Sequence, residues 1–140
     1  MLTVEKKYYA EVVGKTNYKN FTFKAYLVKD PKASQVKIFE KNTKGSVEII
    51  TIFNTISSNP SSSIVECQLI TGKTHQIRAS LAYLGHAIIG DGKYGKNEDN
   101  KKFKERTQKL HSYCLTFKQL SPPLSYLNNK IFKCKPNWIK

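Results

Sequence analysis

Apolar and polar positions alternate along the first half of the chain and then change period. Phe21–Val28 sets Phe21, Phe23, Ala25 and Leu27 on one face and Thr22, Lys24 and Tyr26 on the other, the spacing of a half-buried strand. Lys6–Val13, rich in aromatics and valine, predicts a strand before it, and Gly14–Asn20 between the two reads as a hairpin-type loop. Pro31 breaks the second strand, and Val36–Phe39 is a short third one that ends in the polar EKNTKG turn. Val47–Asn54 and Ile64–Ile70 form a further pair across the loop SSNPSSS, with Val65, Cys67 and Leu69 on one face.

After Ile70 the period becomes helical. Ile77, Leu81 and Leu84 recur at i, i+4 and i+7, which predicts a short, half-buried helix over 75–84. Thr74 is placed as its N-cap and Gly85 as its left-handed stop. Asn97–Lys109 is polar and reads as a short surface helix or a loop. Leu110–Phe117 is a strand, with Tyr113, Leu115 and Phe117 on one face, ended before Pro122–Pro123; Ile131–Cys134 closes the fold. Many strands with one good helix predict an α+β domain, a mostly antiparallel or mixed sheet with helix 75–84 packed on it. No internal repeat or second domain interrupts residues 1–140.

Charge narrows the partners. The chain has 24 Lys+Arg against 10 Asp+Glu, a formal net charge of +14. From Arg106 to the end there are basic residues and no acid. Such a field favours a polyanionic partner such as a nucleic acid, with fast and salt-sensitive association; lysine used simply as a solubiliser is the plainer reading. Cys67, Cys114 and Cys134 are odd in number and lack CxxC spacing, which argues for buried thiols in a reduced, cytoplasmic protein. They and His75, His86 and His111 show no metal-ligand spacing, so no metal is expected. No signal peptide, long apolar run or amphipathic basic helix points to a membrane.

Several residues invite chemistry. GDGKYG at Gly90–Gly95 fits GxGxxG as a string, but a polar stretch follows it and no acid lies beyond Glu105, so it reads as a turn and not a dinucleotide site. His75 and His111 could serve as an acid–base pair for RNA cleavage; a histidine opening a helix or sitting in a strand is more simply a hydrogen-bonding group. Arg78 flanks the buried face of its helix, where it either snorkels outward or pairs with an acid in a cleft. Tyr8 and Tyr9 point to opposite faces of their strand, one toward the core, the other exposed or lining a cleft.

Three segments carry a family resemblance. KKYYAEVVG at Lys6–Gly14 resembles the K-x-Y-x-A-x-V-x-G motif of the RluA-type pseudouridine synthases. TGKTHQIRASLAYLGHAIIGDGKYG at Thr71–Gly95 is similar to their third motif, and LHSYCLTF at Leu110–Phe117 to the strand that follows it. The GDGKYG ending with Asn97 and Asn100 is most similar to the ribosomal large-subunit, C-type members. Lys73, Ser80 and Ala87 stand where the family usually has arginine, histidine and proline; Lys73 keeps the charge but weakens bidentate phosphate contact.

The resemblance implies an enzyme that isomerises uridine to pseudouridine in RNA, with large-subunit ribosomal RNA the expected substrate and no cofactor or metal. It implies that Tyr8 packs against the uracil and handles the proton on C5, that Arg78 pairs with the catalytic aspartate, and that Leu110 is the apolar residue on the other side of the base. Lys73, Thr74, His75, Gln76, Lys93 and Lys96 are expected to contact RNA. It also implies a nucleophilic aspartate in an upstream HRLD-x-x-TSG-type motif. Asp30, Asp91 and Asp99 all stand in other contexts, Asp91 as a tie within its turn. The expectation is therefore the C-terminal half of a catalytic domain, without its upstream half and any S4-like RNA-binding domain. Such a fragment would be inactive alone, would leave Arg78 solvated without an ionic partner, and would self-associate through the surface so exposed. A non-catalytic RNA-binding module on the same scaffold is the alternative.

Overall fold

The computed structural model describes residues 3–73, 75–103, 108–118 and 131–133. Its strands are β1 (Thr3–Val13), β2 (Phe21–Asp30), β3 (Gln35–Phe39), β4 (Val47–Ser58), β5 (Ser62–Leu69), β6 (Leu110–Lys118) and β7 (Ile131–Lys133). The helices are α1 (Gln76–Tyr83) and α2 (Asn97–Lys102). All strands join one sheet in the order β3-β2-β4-β5-β1-β6-β7, every neighbouring pair antiparallel. The α+β class and the antiparallel sheet expected from the periodicity are what the chain forms.

The alternation seen in the sequence becomes one buried face. Register places Ala25 opposite Ile49, Phe23 opposite Thr51, Phe53 opposite Cys67 and Ala10 opposite Val65. All eight side chains are buried, and α1 adds Ile77, Ala79 and Leu81 to them. A fully buried Ile49, Phe53 or Leu81 contributes about 1.5–3 kcal/mol by leaving water. Directly opposed pairs fix the register, since a one-residue slip would turn each of them to solvent.

The loop after β1 is not a hairpin. β1 and β2 lie apart, with β4 and β5 between them. Residues 14–20 instead run across the end of the β4–β5 hairpin. Gly14 N–H donates to the Ser61 carbonyl (2.8 Å), Thr16 N–H to Ser63 Oγ (2.9 Å) and Tyr18 N–H to Thr55 Oγ1 (2.9 Å). Hydroxyls on β4 and β5 satisfy a loop that pairs with no strand of its own, which a local reading of turn residues does not anticipate.

Helix α1 ends in a Schellman motif at the predicted glycine. Gly85 has φ +90°, its N–H bonds to the Ala82 carbonyl, and His86 N–H reaches back to Leu81. Its start differs from the expected cap. Thr74 lies outside the described residues; the N-cap is His75, in the left-handed region at φ 54° with no side-chain capping bond. The side-chain faces of β6 beyond Leu110, with His111 and Cys114, and residue Cys134 also lie outside what is described.

Candidate active site

The turn leading into α1 is held by Gln76. Its Oε1 accepts from Thr71 Oγ1 (2.9 Å) and Lys73 N–H (3.1 Å), and its Nε2 donates to the Ile50 carbonyl (3.1 Å) and Thr51 Oγ1 (2.9 Å). The side chain is buried. Expected to meet RNA, Gln76 is instead consumed as a clamp between β4 and the turn, and its hydrogen-bonding capacity is met inside the protein.

Two residues on, Arg78 meets Asp91. Arg78 Nε donates to Asp91 Oδ2 at 2.8 Å and Nη2 to Oδ1 at 2.9 Å, a bidentate pair. This corrects the expectation of an unpartnered, solvated guanidinium: the acid lies in the GDGKYG turn, thirteen residues away along the chain. Asp91 Oδ1 also accepts from Lys93 N–H (2.9 Å) and Tyr94 N–H (3.0 Å), which is the turn tie expected of it. Asn100 of α2 seals the turn from behind, with Nδ2 donating to the Asp91 carbonyl and Oδ1 accepting Gly90 N–H.

Burial would raise the Asp91 carboxyl, but the Arg78 bond, the Tyr94 and Lys93 N–H groups and the Arg78 charge outweigh it and hold it below its ordinary value. Arg78 is raised in turn, first by that hydrogen bond, against the opposing effect of burial. The Tyr94 ring lies 5.2 Å from the guanidinium carbon. Tyr94 Oη accepts Val36 N–H (3.0 Å) and shares a 2.8 Å bond with His75 Nδ1. His75 is lowered by burial and by the charges of Arg78, Lys93 and Lys29, with Asp91 opposing.

Arg78 sits on the wall of a cavity of about 380 Å³. Tyr8 of β1, Leu110 of β6, Lys73, His75 and the edge of Gln76 border the same space, joined by Leu69, Ile77 and Gln108. Tyr8 and Leu110 also pack against the core. Beside Tyr8 the register between β1 and β6 jumps, with Lys7 opposite Cys114 and Tyr8 opposite Ser112. A bulge at that position re-aims the strand locally, a common device beside sites. The cavity thus combines an aromatic ring, apolar walls and a guanidinium whose Asp91-facing edge is fixed.

Not every residue singled out from the sequence comes here. Lys93 borders a separate hollow, and Lys96 is exposed at the start of α2. Asp30 accepts the N–H groups of Lys32 and Ala33 in its own turn. None of Asp30, Asp91 and Asp99 borders the cavity. Sequence reasoning missed Tyr94 and Gln108 and took Asp91 only as a turn tie; the signal for Asp91 and Tyr94 was the D-x-x-Y spacing inside GDGKYG.

Comparison with known proteins sharpens these geometric observations. The sequence profile described as RNA pseudouridylate synthase matches residues 1–83. An uncharacterized RNA pseudouridine synthase of Mycoplasma capricolum is 33% identical over 132 residues, covering 94% of this chain and 37% of that protein. Ribosomal large subunit pseudouridine synthase D of Blochmanniella floridana is 34% identical over 119 residues, 81% of this chain and 35% of that one. The chain therefore spans little more than a third of these curated relatives. Among solved structures, human RNA pseudouridylate synthase domain containing 4 has a similar fold, with TM-score 0.67 at 23% identity over 96% of this chain and 59% of that one.

Proposed function

The chain belongs to the RNA pseudouridylate synthase family, and from that premise we propose that it forms the base-holding side of an enzyme that isomerises uridine to pseudouridine in RNA, with large-subunit ribosomal RNA as substrate. The observation that carries this is the gathering of Tyr8, Leu110 and Arg78 around one cavity. The reaction breaks the N1–C1′ bond, turns the freed uracil and joins C5 to C1′, and the C5 proton then leaves. It needs a slot that retains the detached base, a carboxylate to attack or deprotonate the sugar, and a cation to keep that carboxylate ionised. The uridine must also leave its stack to enter.

In this reading Tyr8 and Leu110 hold the two faces of the uracil, and the Tyr8 hydroxyl handles the C5 proton. Arg78 offers the cation. Of its five N–H groups, two go to Asp91; the remainder are left to a second carboxylate. Asp91 is a poor candidate for that role, since it is buried and both its oxygens already accept N–H donors. The attacking carboxylate is assigned to a segment outside these 140 residues. Lys73, His75, Lys93 and Lys96 supply the cationic and polar rim for the RNA backbone, and the net charge of +14 supports that partner. The name of the Blochmanniella relative is what favours ribosomal RNA.

Tritium release from RNA labelled at uridine C5 tests the reading. The chain alone should release none. The chain extended by its upstream reading frame should release tritium from ribosomal RNA and not from transfer RNA. Release by the isolated chain would overturn the assignment of the carboxylate, and none from the extended form on any RNA would favour the RNA-binding module.

A further inference from the structure

A second hollow, about 470 Å³, adjoins the Tyr8 cavity. His75 borders both. The walls are the turn between β2 and β3 and the GDGKYG turn, contributing Lys29, Asp30, Ser34, Gln35 and Lys93. Bonds cross between the walls: Lys93 Nζ donates to the Ser34 carbonyl (2.8 Å), and Val36 N–H donates to Tyr94 Oη (3.0 Å). The hollow is thus held open by the fold and needs no ligand to form. Among the described residues, three non-glycine residues have positive φ, and two of them, Ser34 at 49° and His75 at 54°, border this space. Backbone held in that region costs free energy and persists where the surroundings enforce it.

The chemistry of the hollow is cationic and directional. Lys93 uses one of its N–H donors on Ser34 and keeps the rest. Lys29 is exposed on the opposite wall. The one carboxylate, Asp30, is turned to the N–H groups of Lys32 and Ala33. Tyr94 Oη accepts Val36 N–H and shares a hydrogen bond with His75 Nδ1, in which the neutral imidazole is donor or acceptor according to its tautomer. Burial and the neighbouring Arg78, Lys93 and Lys29 charges favour that neutral form.

We propose that this hollow seats the nucleotide adjoining the target uridine, with its phosphate between Lys29 and Lys93 and the strand passing over His75 from one cavity to the other. The proposal rests on the uridine reading of the Tyr8 cavity. It adds a defined second position on the RNA, so that the protein grips the strand beside the extruded base and not through diffuse charge alone.

Short single-stranded RNAs carrying one uridine, with one phosphate at a time replaced by a neutral methylphosphonate, test it on the 140-residue chain at low salt. One neutral linkage next to the uridine should weaken binding severalfold, and linkages farther away should matter less. In Lys29→Ala and Lys93→Ala that same linkage should make little further difference, because charge and partner are removed in one cycle. Each variant should also lower the salt slope by about 0.7, the loss of one phosphate contact on a single strand. Lys93→Arg, which keeps the charge, should bind and couple like the native chain. A uridine preference that persists with no coupling between either lysine and any linkage overturns the subsite and leaves the uridine cavity standing. Equal binding of uridine-containing and uridine-free RNA by the native chain is failure of the uridine reading, and the proposal falls with it.

Discussion

Arg78 and Asp91 meet through two parallel N–H···O bonds, yet they differ in exposure: the arginine side chain is 17% exposed and the aspartate side chain 0%. The charge buried is the acid, and the arginine reaches it from the cavity wall. An isolated ionised carboxylate there would be costly, so the pair and the Lys93 and Tyr94 N–H groups together determine whether the GDGKYG turn holds its shape.

This pair sets an acid limb of stability. The folded-state value of Asp91 lies below its ordinary one, so the unfolded chain binds its proton first as pH falls. The stabilisation is complete above the unfolded value, about 4, and is lost as pH drops through the lower folded value. Urea unfolding from pH 7 to pH 3 should show this loss in the native chain. Asp91→Asn should be less stable at pH 7 and should flatten that limb; a limb of unchanged slope would detach it from Asp91.

Gly95 is required by packing. A Cβ there would lie 2.5 Å from the Asp91 carbonyl oxygen, whose position is fixed by the bonds from Gly95 N–H and Asn100 Nδ2. The clashing atom is backbone and not the flexible end of a side chain, so the turn itself must move. Gly95→Ala should cost about 1–3 kcal/mol by denaturant midpoint and should loosen Arg78 with it. Gly92, with open space around its Cβ position, is the control, and Gly92→Ala should be nearly neutral.

Ser80 is buried with its hydroxyl lacking a hydrogen-bond partner among the described residues. Dehydrating a hydroxyl without a partner costs about 1–3 kcal/mol, and alanine removes the group without leaving a large void. Ser80→Ala should therefore match or exceed native stability, by up to about 1 kcal/mol. A marked loss in thermal unfolding would mean that the hydroxyl has a partner after all.

Much of this was legible locally. The alternation of Phe23, Ala25 and Leu27 and the i, i+4, i+7 spacing of Ile77, Leu81 and Leu84 are consequences of one buried face, and that face is where they lie; Phe21, the first residue of β2, is exposed. The motif strings brought Tyr8, Arg78 and Leu110 to one cavity. What failed was long-range. The loop over 14–20 looks like a hairpin because turn residues carry no record of the two strands, β4 and β5, that insert between β1 and β2. Gln76 looked like a surface polar group because its four partners, at positions 50, 51, 71 and 73, converge only in the folded sheet. Arg78 lacked an obvious acid for the same reason: period and charge show that an arginine is near a core face, not which turn folds back to meet it.

The sharpest division of labour is between Tyr8 and Arg78. Both border the cavity, but the roles proposed for them separate in kinetics. Tyr8→Phe keeps the ring and its stacking and loses only the hydroxyl, so RNA affinity should hold while tritium release from C5 slows by about 10²–10⁴-fold, the range of one acid–base group. Arg78→Ala, measured in the extended form proposed to carry the carboxylate, should lower turnover by about 10²–10³-fold, as the loss of a preorganised charge partner does. It should also leave the buried Asp91 carboxylate without its cation and weaken the fold. Arg78→Lys separates these effects: a point charge restores part of the stability but not the bidentate geometry, so stability should recover more than activity. If Tyr8→Phe lost RNA affinity and retained its rate, the tyrosine would be a binding platform only, and the proton would have to leave C5 by another group.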